Sequence, residues 1–143
     1  AITGQFVFGD AGGYVDRSGA RTPHTIQAGD LKTRLASTAV VVLTDADSIS
    51  NAEGFAAIVQ RAGRAKVVGT RTPGVIESSE FFDGMGGLRV EVPVQATLLA
   101  NGVNLEGKGV TPDVTVSADW TRFDEANDPD IRAAVALLAG GGG

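Results

Sequence analysis

The sequence predicts a single α/β domain with a substantial antiparallel share, and three observations carry that expectation. First, an apolar β-branched run, Ala39-Val40-Val41-Val42-Leu43, leads through a helical period into a second apolar run, Lys66-Val67-Val68-Gly69. Strand, helix and strand within about thirty residues are the signature of a parallel crossover unit. Second, the chain beyond that unit alternates short β-rich segments with turn signals. Third, 143 residues at 43% hydrophobic and 20% charged suffice for one core and leave little room for two.

Taken in order, Gly4–Phe8 and Gly13–Asp16 read as the arms of a hairpin around Asp10-Ala11-Gly12. Asp16-Arg17-Ser18-Gly19 is a turn, and Thr22–Leu35, punctuated by Pro23 and Gly29, reads as mostly irregular. The run ending at Leu43 is continuously apolar, the pattern of a strand buried on both faces. Asn51–Ala62 places Ala52, Phe55, Ala56, Ile58 and Val59 at helical spacing, and Gly63 is the stop. Gly74–Phe82, Gly87–Val92 and Val94–Leu99 read as β segments separated at Asp83-Gly84 and Pro93, with a hairpin signal at Asn101-Gly102. Val114-Thr115-Val116 closes the β portion. Asp128–Leu138 is a final helix with Pro129 in its first turn and Ile131, Ala134, Val135 and Leu138 as one stripe. Residues 1–139 form the domain and 140–143 a flexible glycine tail.

Composition removes several function classes. Twelve basic residues against seventeen acidic give a formal charge of −5, with no Lys/Arg cluster to neutralise phosphates, so nucleic acid is not an expected partner. Without cysteine there is no disulfide framework and no thiolate metal site, and one histidine, His24, cannot make a His-rich one. No apolar run reaches the length of a membrane span. The chain opens on Ala1-Ile2-Thr3-Gly4 rather than Met, which reads as a piece of a polypeptide that continues upstream.

Chemistry is expected at the junction of the first apolar run and its helix, Thr44-Asp45-Ala46-Asp47-Ser48-Ile49-Ser50-Asn51-Ala52-Glu53. Active sites of open α/β sheets lie at C-terminal strand ends, where loops enter helices. A serine there is held by a rigid element, and nearby backbone N–H groups point at any oxyanion formed beside it. The same residues have a plain structural reading. Ser50-x-x-Glu53 matches a capping box, and on local chemistry alone a helix cap is the default for Ser50.

The wider order of motifs changes that default. Val40–Thr44, Ser48-Ile49-Ser50-Asn51-Ala52-Glu53, Gly63-Arg64-Ala65, Val67-Val68-Gly69, Thr72-Pro73-Gly74 and Gly107-Lys108-Gly109-Val110-Thr111-Pro112-Asp113 follow one another from about Ala39 to Val116. This series resembles the C-terminal processing (tail-specific) and tricorn-like serine protease family, in the C-terminal part of its catalytic domain. The resemblance implies a ClpP/crotonase-like mixed sheet with crossover helices and a serine-type endopeptidase acting through an acyl-enzyme. It places Ser50 at the nucleophile and the Asn51 backbone N–H at the oxyanion. It implies no cofactor and no metal, a peptide or unfolded protein as substrate, a possible oligomer, and a periplasmic or extracytoplasmic location.

The sequence departs from the tail-specific pattern at one telling place. The lysine that serves there as general base falls at Val75, which cannot accept a proton. Lys66 and Lys108 do not match that position and read as surface residues. In the tricorn-like branch a histidine from earlier in the polypeptide activates the serine, and a downstream glutamate completes the set; Glu106 lies in the matching segment. Its plain reading is a solvated carboxylate in a glycine-rich loop. His24 falls downstream of where that histidine belongs and reads as a solvated loop residue, and Gly12-Gly13 reads as turn chemistry rather than the family's glycine-rich oxyanion segment. The base and half the oxyanion hole are therefore expected upstream of Ala1. Arg71 and Thr72 read as solvating the rim, and Phe81-Phe82 as core or interface. The competing class is a non-catalytic binding module of the same fold. An acyl-CoA enzyme of the crotonase type is weaker, for want of its glycine-rich motifs.

Overall fold

The computed structural model describes residues 2–117, 124 and 126–140. The chain runs β1 (Gly9–Asp16), β2 (Arg21–Ile26), α1 (Lys32–Leu35), β3 (Val41–Thr44), α2 (Asn51–Arg61), β4 (Lys66–Gly69), β5 (Ser78–Asp83), β6 (Arg89–Leu99), β7 (Val114–Thr115) and α3 (Pro129–Gly140). The class is mixed α/β. Its parallel and antiparallel strands are not merged into one mixed sheet: β2-β1-β6-β5 form an antiparallel sheet and β3-β4-β7 a parallel one.

The crossover unit stands where the sequence puts it. β3 and β4 pair in parallel from Val41 opposite Lys66 to Thr44 opposite Gly69, with α2 between them in the chain. Gly69, at φ 123°, is required there because a Cβ would stand 2.1 Å from the Thr44 carbonyl oxygen. Buried Ala56 and Ala57 of α2 meet Val67, Ile76, Leu99, Leu105 and Val110 in the principal core cluster, with Val42 and Ile58 packed against it. This core joins both sheets, so α2 is fixed from two sides. Asp113 adds a polar lock. Its carboxylate accepts from Val67 N–H and the Gln60 amide, both at 2.9 Å, and pairs with Lys66 at 3.0 Å. Burial, the largest single influence on this carboxyl, pushes its pKa up, but these donors together leave it below the ordinary aspartate value.

Several local expectations are corrected. Gly4–Phe8 is not a strand: Thr3–Gln5 form a single 3₁₀ turn tied to the 27–31 loop by Gly29 N–H to Gly4 O and by Leu31 N–H to Gln5 Oε1, both 2.6 Å. The hairpin is instead β1–β2, turning at Asp16–Gly19, so Gly12-Gly13 lie inside a strand at a bulge and His24 sits on β2 rather than in a loop. Pro93 does not break its segment. It faces Ser79 beside the β5–β6 register shift, outside the Gln95–Leu99 stretch that pairs with β1, so its missing N–H interrupts at most one ladder. β3 is not buried on both faces, since it is the sheet's edge strand and Leu43 is 43% exposed. Of the expected α3 stripe only Ala134 is buried. Phe81 and Phe82 are exposed on the edge strand β5, where the Arg89 guanidinium, 4.5 Å from the ring centroid, lies over Phe81. Gly140 ends α3, and residues 141–143 lie outside the described residues.

Candidate active site

β3 delivers the chain to a tight loop before α2. Asp45 organises it: its carboxylate accepts from the Ser48 hydroxyl at 2.8 Å and from Asp47 N–H at 3.0 Å, while its own N–H donates to Ser48 Oγ at 3.0 Å. Ile49 and Ser50 follow. Ser50, with φ 57° and ψ −123°, is the one non-glycine with positive φ among the described residues. Those angles match the first central position of a type II′ turn, where glycine is preferred and a side chain is strained.

Two contacts impose the strain. Ser50 N–H donates to the Val75 carbonyl at 2.8 Å and to Glu53 Oε2 at 3.2 Å. Both approaches of a capping box exist between Ser50 and Glu53, yet the serine hydroxyl forms no regular cap hydrogen bond. Ser50 and Asn51 are exposed, so the hydroxyl is held at a rigid helix start, near the Glu53 N–H and open to solvent. Asn51 is the first residue of α2, where a backbone N–H has no partner within the helix. No acceptor is paired with it among the described residues. An N–H in that place, beside a serine hydroxyl, is able to donate to an oxyanion.

Glu53 is the hub that sequence reasoning treated only as a cap partner. Its side chain is fully buried, and it accepts from Thr72 Oγ1 at 2.5 Å, Gly74 N–H at 2.6 Å and Val75 N–H at 2.7 Å, besides Ser50. Thr72 is buried too, a correction to its expected place on the rim. It exchanges with Val110, taking Val110 N–H on its hydroxyl at 2.7 Å and giving its own N–H to Val110 O at 3.1 Å. Gly74, at φ 83°, passes so close to the 105–109 loop that a Cβ would stand 2.5 Å from the Leu105 carbonyl oxygen. The motifs at 48–53, 72–74 and 107–113, scattered in sequence, thus meet in one buried network whose output is the position of the Val75 carbonyl. The usable signal was the pairing of Ser-x-x-Glu with Thr-x-Gly in one chain.

Glu106 is exposed, and its Oε2 accepts from Ile76 N–H at 3.0 Å and Glu77 N–H at 3.2 Å. It braces the segment just past Val75, and no contact with Ser50 is formed among the described residues. Lys66 is taken by Asp113, and Lys108 reaches only the Asn104 carbonyl, at 3.4 Å. His24 lines the same cleft as Ser50, a cavity of about 560 Å³, and stacks on Tyr14 with ring centroids 5.6 Å apart. Among the described residues no group of three or more His, Cys, Asp or Glu is gathered to hold a metal, and no helix is long and apolar enough to cross a membrane.

Comparison with known proteins gives the family. The sequence profile described as Peptidase family S41 matches residues 1–116. Among solved structures, the chain is similar to a photosystem II D1 C-terminal processing protease at 26% identity and a TM-score of 0.68, covering 81% of this chain and 30% of that one. A putative peptidase from Parabacteroides merdae superposes at 23% identity and a TM-score of 0.74, over 96% of this chain and 45% of that one. The tricorn protease does so at 23% identity and 0.62, over 91% of this chain and 12% of that one. The chain therefore spans less than half the length of each.

Proposed function

Because the chain belongs to peptidase family S41, we propose that it is the C-terminal part of a serine endopeptidase catalytic domain of ClpP/crotonase-like fold, with Ser50 as nucleophile. One observation carries this reading: Ser50 is held in a strained backbone conformation with its side chain exposed, beside an Asn51 N–H that has no acceptor among the described residues. In the reaction, Ser50 Oγ forms a bond to the peptide carbonyl carbon as a base takes its proton. The Asn51 N–H holds the resulting oxyanion. The C–N bond breaks as the amine receives that proton, and water then hydrolyses the ester. The substrate is an extended peptide or unfolded protein, and an extracytoplasmic location accompanies the family reading.

The base and the second oxyanion donor belong to a part of the polypeptide upstream of Ala1. Val75 cannot supply the first, and the limited share of each neighbour that this chain covers supports the idea. Glu106 then acts as a positioning residue through Ile76 and Glu77 rather than on the serine. Val75 also favours a second reading, a peptide-binding module that has lost catalysis. A fluorophosphonate probe separates the two. The nucleophile reading expects the full-length polypeptide to be labelled, Ser50→Ala to abolish the label, and this chain alone to stay unlabelled. A full-length polypeptide that resists labelling supports the binding module.

A further inference from the structure

The cleft beside Ser50 has two walls of different make. One is a stripe of α2, Asn51, Gly54, Phe55 and Ile58, at positions that face one way on a helix. The other is the antiparallel sheet, where Tyr14 and His24 stand with Thr97 and Leu99. The two walls are stitched together near the serine. Ser50 N–H donates to Val75 O, the next carbonyl, Ile76 O, accepts the Thr97 hydroxyl at 3.0 Å, and Thr97 lies opposite Tyr14 in the β1–β6 register.

The lining holds no carboxylate, lysine or arginine. A charged side chain entering such a cleft would lose water with only the His24 imidazole among the lining groups to offset an acid and none to offset a base, which is costly. An aromatic or large aliphatic side chain would meet Phe55 and Ile58 on one side and ring faces on the other. Tyr14 and His24 are stacked with an interplanar angle of 27°, and neither ring's polar atoms form a hydrogen bond among the described residues. One face of each ring is covered by the other, and the remaining faces and edges line the cleft.

We propose that the Tyr14–His24 ring pair is the selectivity wall of this cleft, admitting an aromatic or large aliphatic side chain of the peptide and excluding an acidic one. This rests on the reading of Ser50 as the reacting residue for the direction in which the peptide lies. It assigns a task to the chain's single histidine other than that of a base.

The test uses the Ser50→Ala chain, so that binding is read without turnover. His24 and Tyr14 are the chain's only histidine and tyrosine, so each gives one set of ring resonances in an NMR spectrum. Acetyl-Ala-Ala-Phe-Ala-amide should shift both sets and bind at least about fivefold tighter than the peptide with Asp in place of Phe. His24→Ala should weaken the Phe peptide about fivefold with the backbone amide spectrum otherwise unchanged. His24→Asp should gain affinity for the peptide with Lys in that place, a result no folding defect produces. Equal affinity for the Asp and Phe peptides, or binding that leaves both ring signals unmoved, or no binding of any peptide, would overturn the proposal. Ring shifts in a chain whose full-length form resists the fluorophosphonate would instead sink the nucleophile reading alone.

Discussion

The two long helices of this chain begin in contrasting ways. At the start of α3, Asp128 Oδ1 accepts from Asp130 N–H at 2.8 Å and Ile131 N–H at 3.2 Å, satisfying two of the helix's free donors. At the start of α2, Ser50 sits where a cap belongs and forms no regular cap hydrogen bond, and its backbone is strained besides. The carboxylates one turn in are reversed as well. Glu53 is buried with four donors, whereas buried Asp130 has Oδ1 with no partner among the described residues. One helix start is capped by a side chain in ordinary geometry; the other combines a capping box of looser geometry with a backbone tied to the loop at 72–75.

Removing either carboxylate sharpens the contrast. Glu53→Ala leaves the buried Thr72 hydroxyl and Gly74 N–H and the part-buried Val75 N–H without an acceptor, and should destabilise the chain by about 3–5 kcal/mol in denaturant unfolding. A loss under about 1 kcal/mol would mean that the network is not a buried unit. Asp128→Ala should cost about 1 kcal/mol, the ordinary value of a working cap, with no effect on labelling of Ser50 in the full-length polypeptide.

Asp130 should respond in the opposite direction. Burial foremost, then the charges of Asp128 and Asp45, raises its carboxyl above the ordinary aspartate value. A carboxyl with a raised folded pKa binds its proton more tightly in the folded state, so its penalty is absent below the unfolded pKa and grows as pH rises through the folded one. Asp130→Asn should therefore stabilise the chain by about 1 kcal/mol at neutral pH, and that gain should vanish in acid below the ordinary aspartate pKa. Thermal melts of both proteins across pH read it directly. A gain that is independent of pH would remove the charge from the explanation.

What could be read from sequence divides along the same line. The crossover unit was legible because β-branched runs and a 3.6-residue period are local properties, and Asn51–Arg61 and Lys66–Gly69 lie where those patterns put them. The hairpin was misplaced because Gly4–Phe8 has strand composition but bonds to the 27–31 loop instead. The exposure of Leu43, Phe81 and Phe82 depends on which strands end a sheet, and an apolar run does not encode that. At the site, the order of motifs marked Ser50 and Asn51. The convergence of Glu53, Thr72 and Val75 needed the fold, because 19 residues separate the Glu53–Thr72 pair and its members have unremarkable local readings. His24 facing the Ser50 cleft was hidden for the same reason: it required β2 to exist.

The strain at Ser50, on which its proposed role as nucleophile rests, is measured most directly by substituting Ser50→Gly. Glycine adopts the observed φ of 57° without strain, and as a helix cap it is only slightly poorer than serine. Ser50→Gly should raise the Tm by a few degrees, equivalent to about 1 kcal/mol, with Ser50→Ala, which keeps the Cβ, showing no such rise. A Tm for Ser50→Gly that is unchanged or lower would show Ser50 to be an unstrained cap, and would contradict the account.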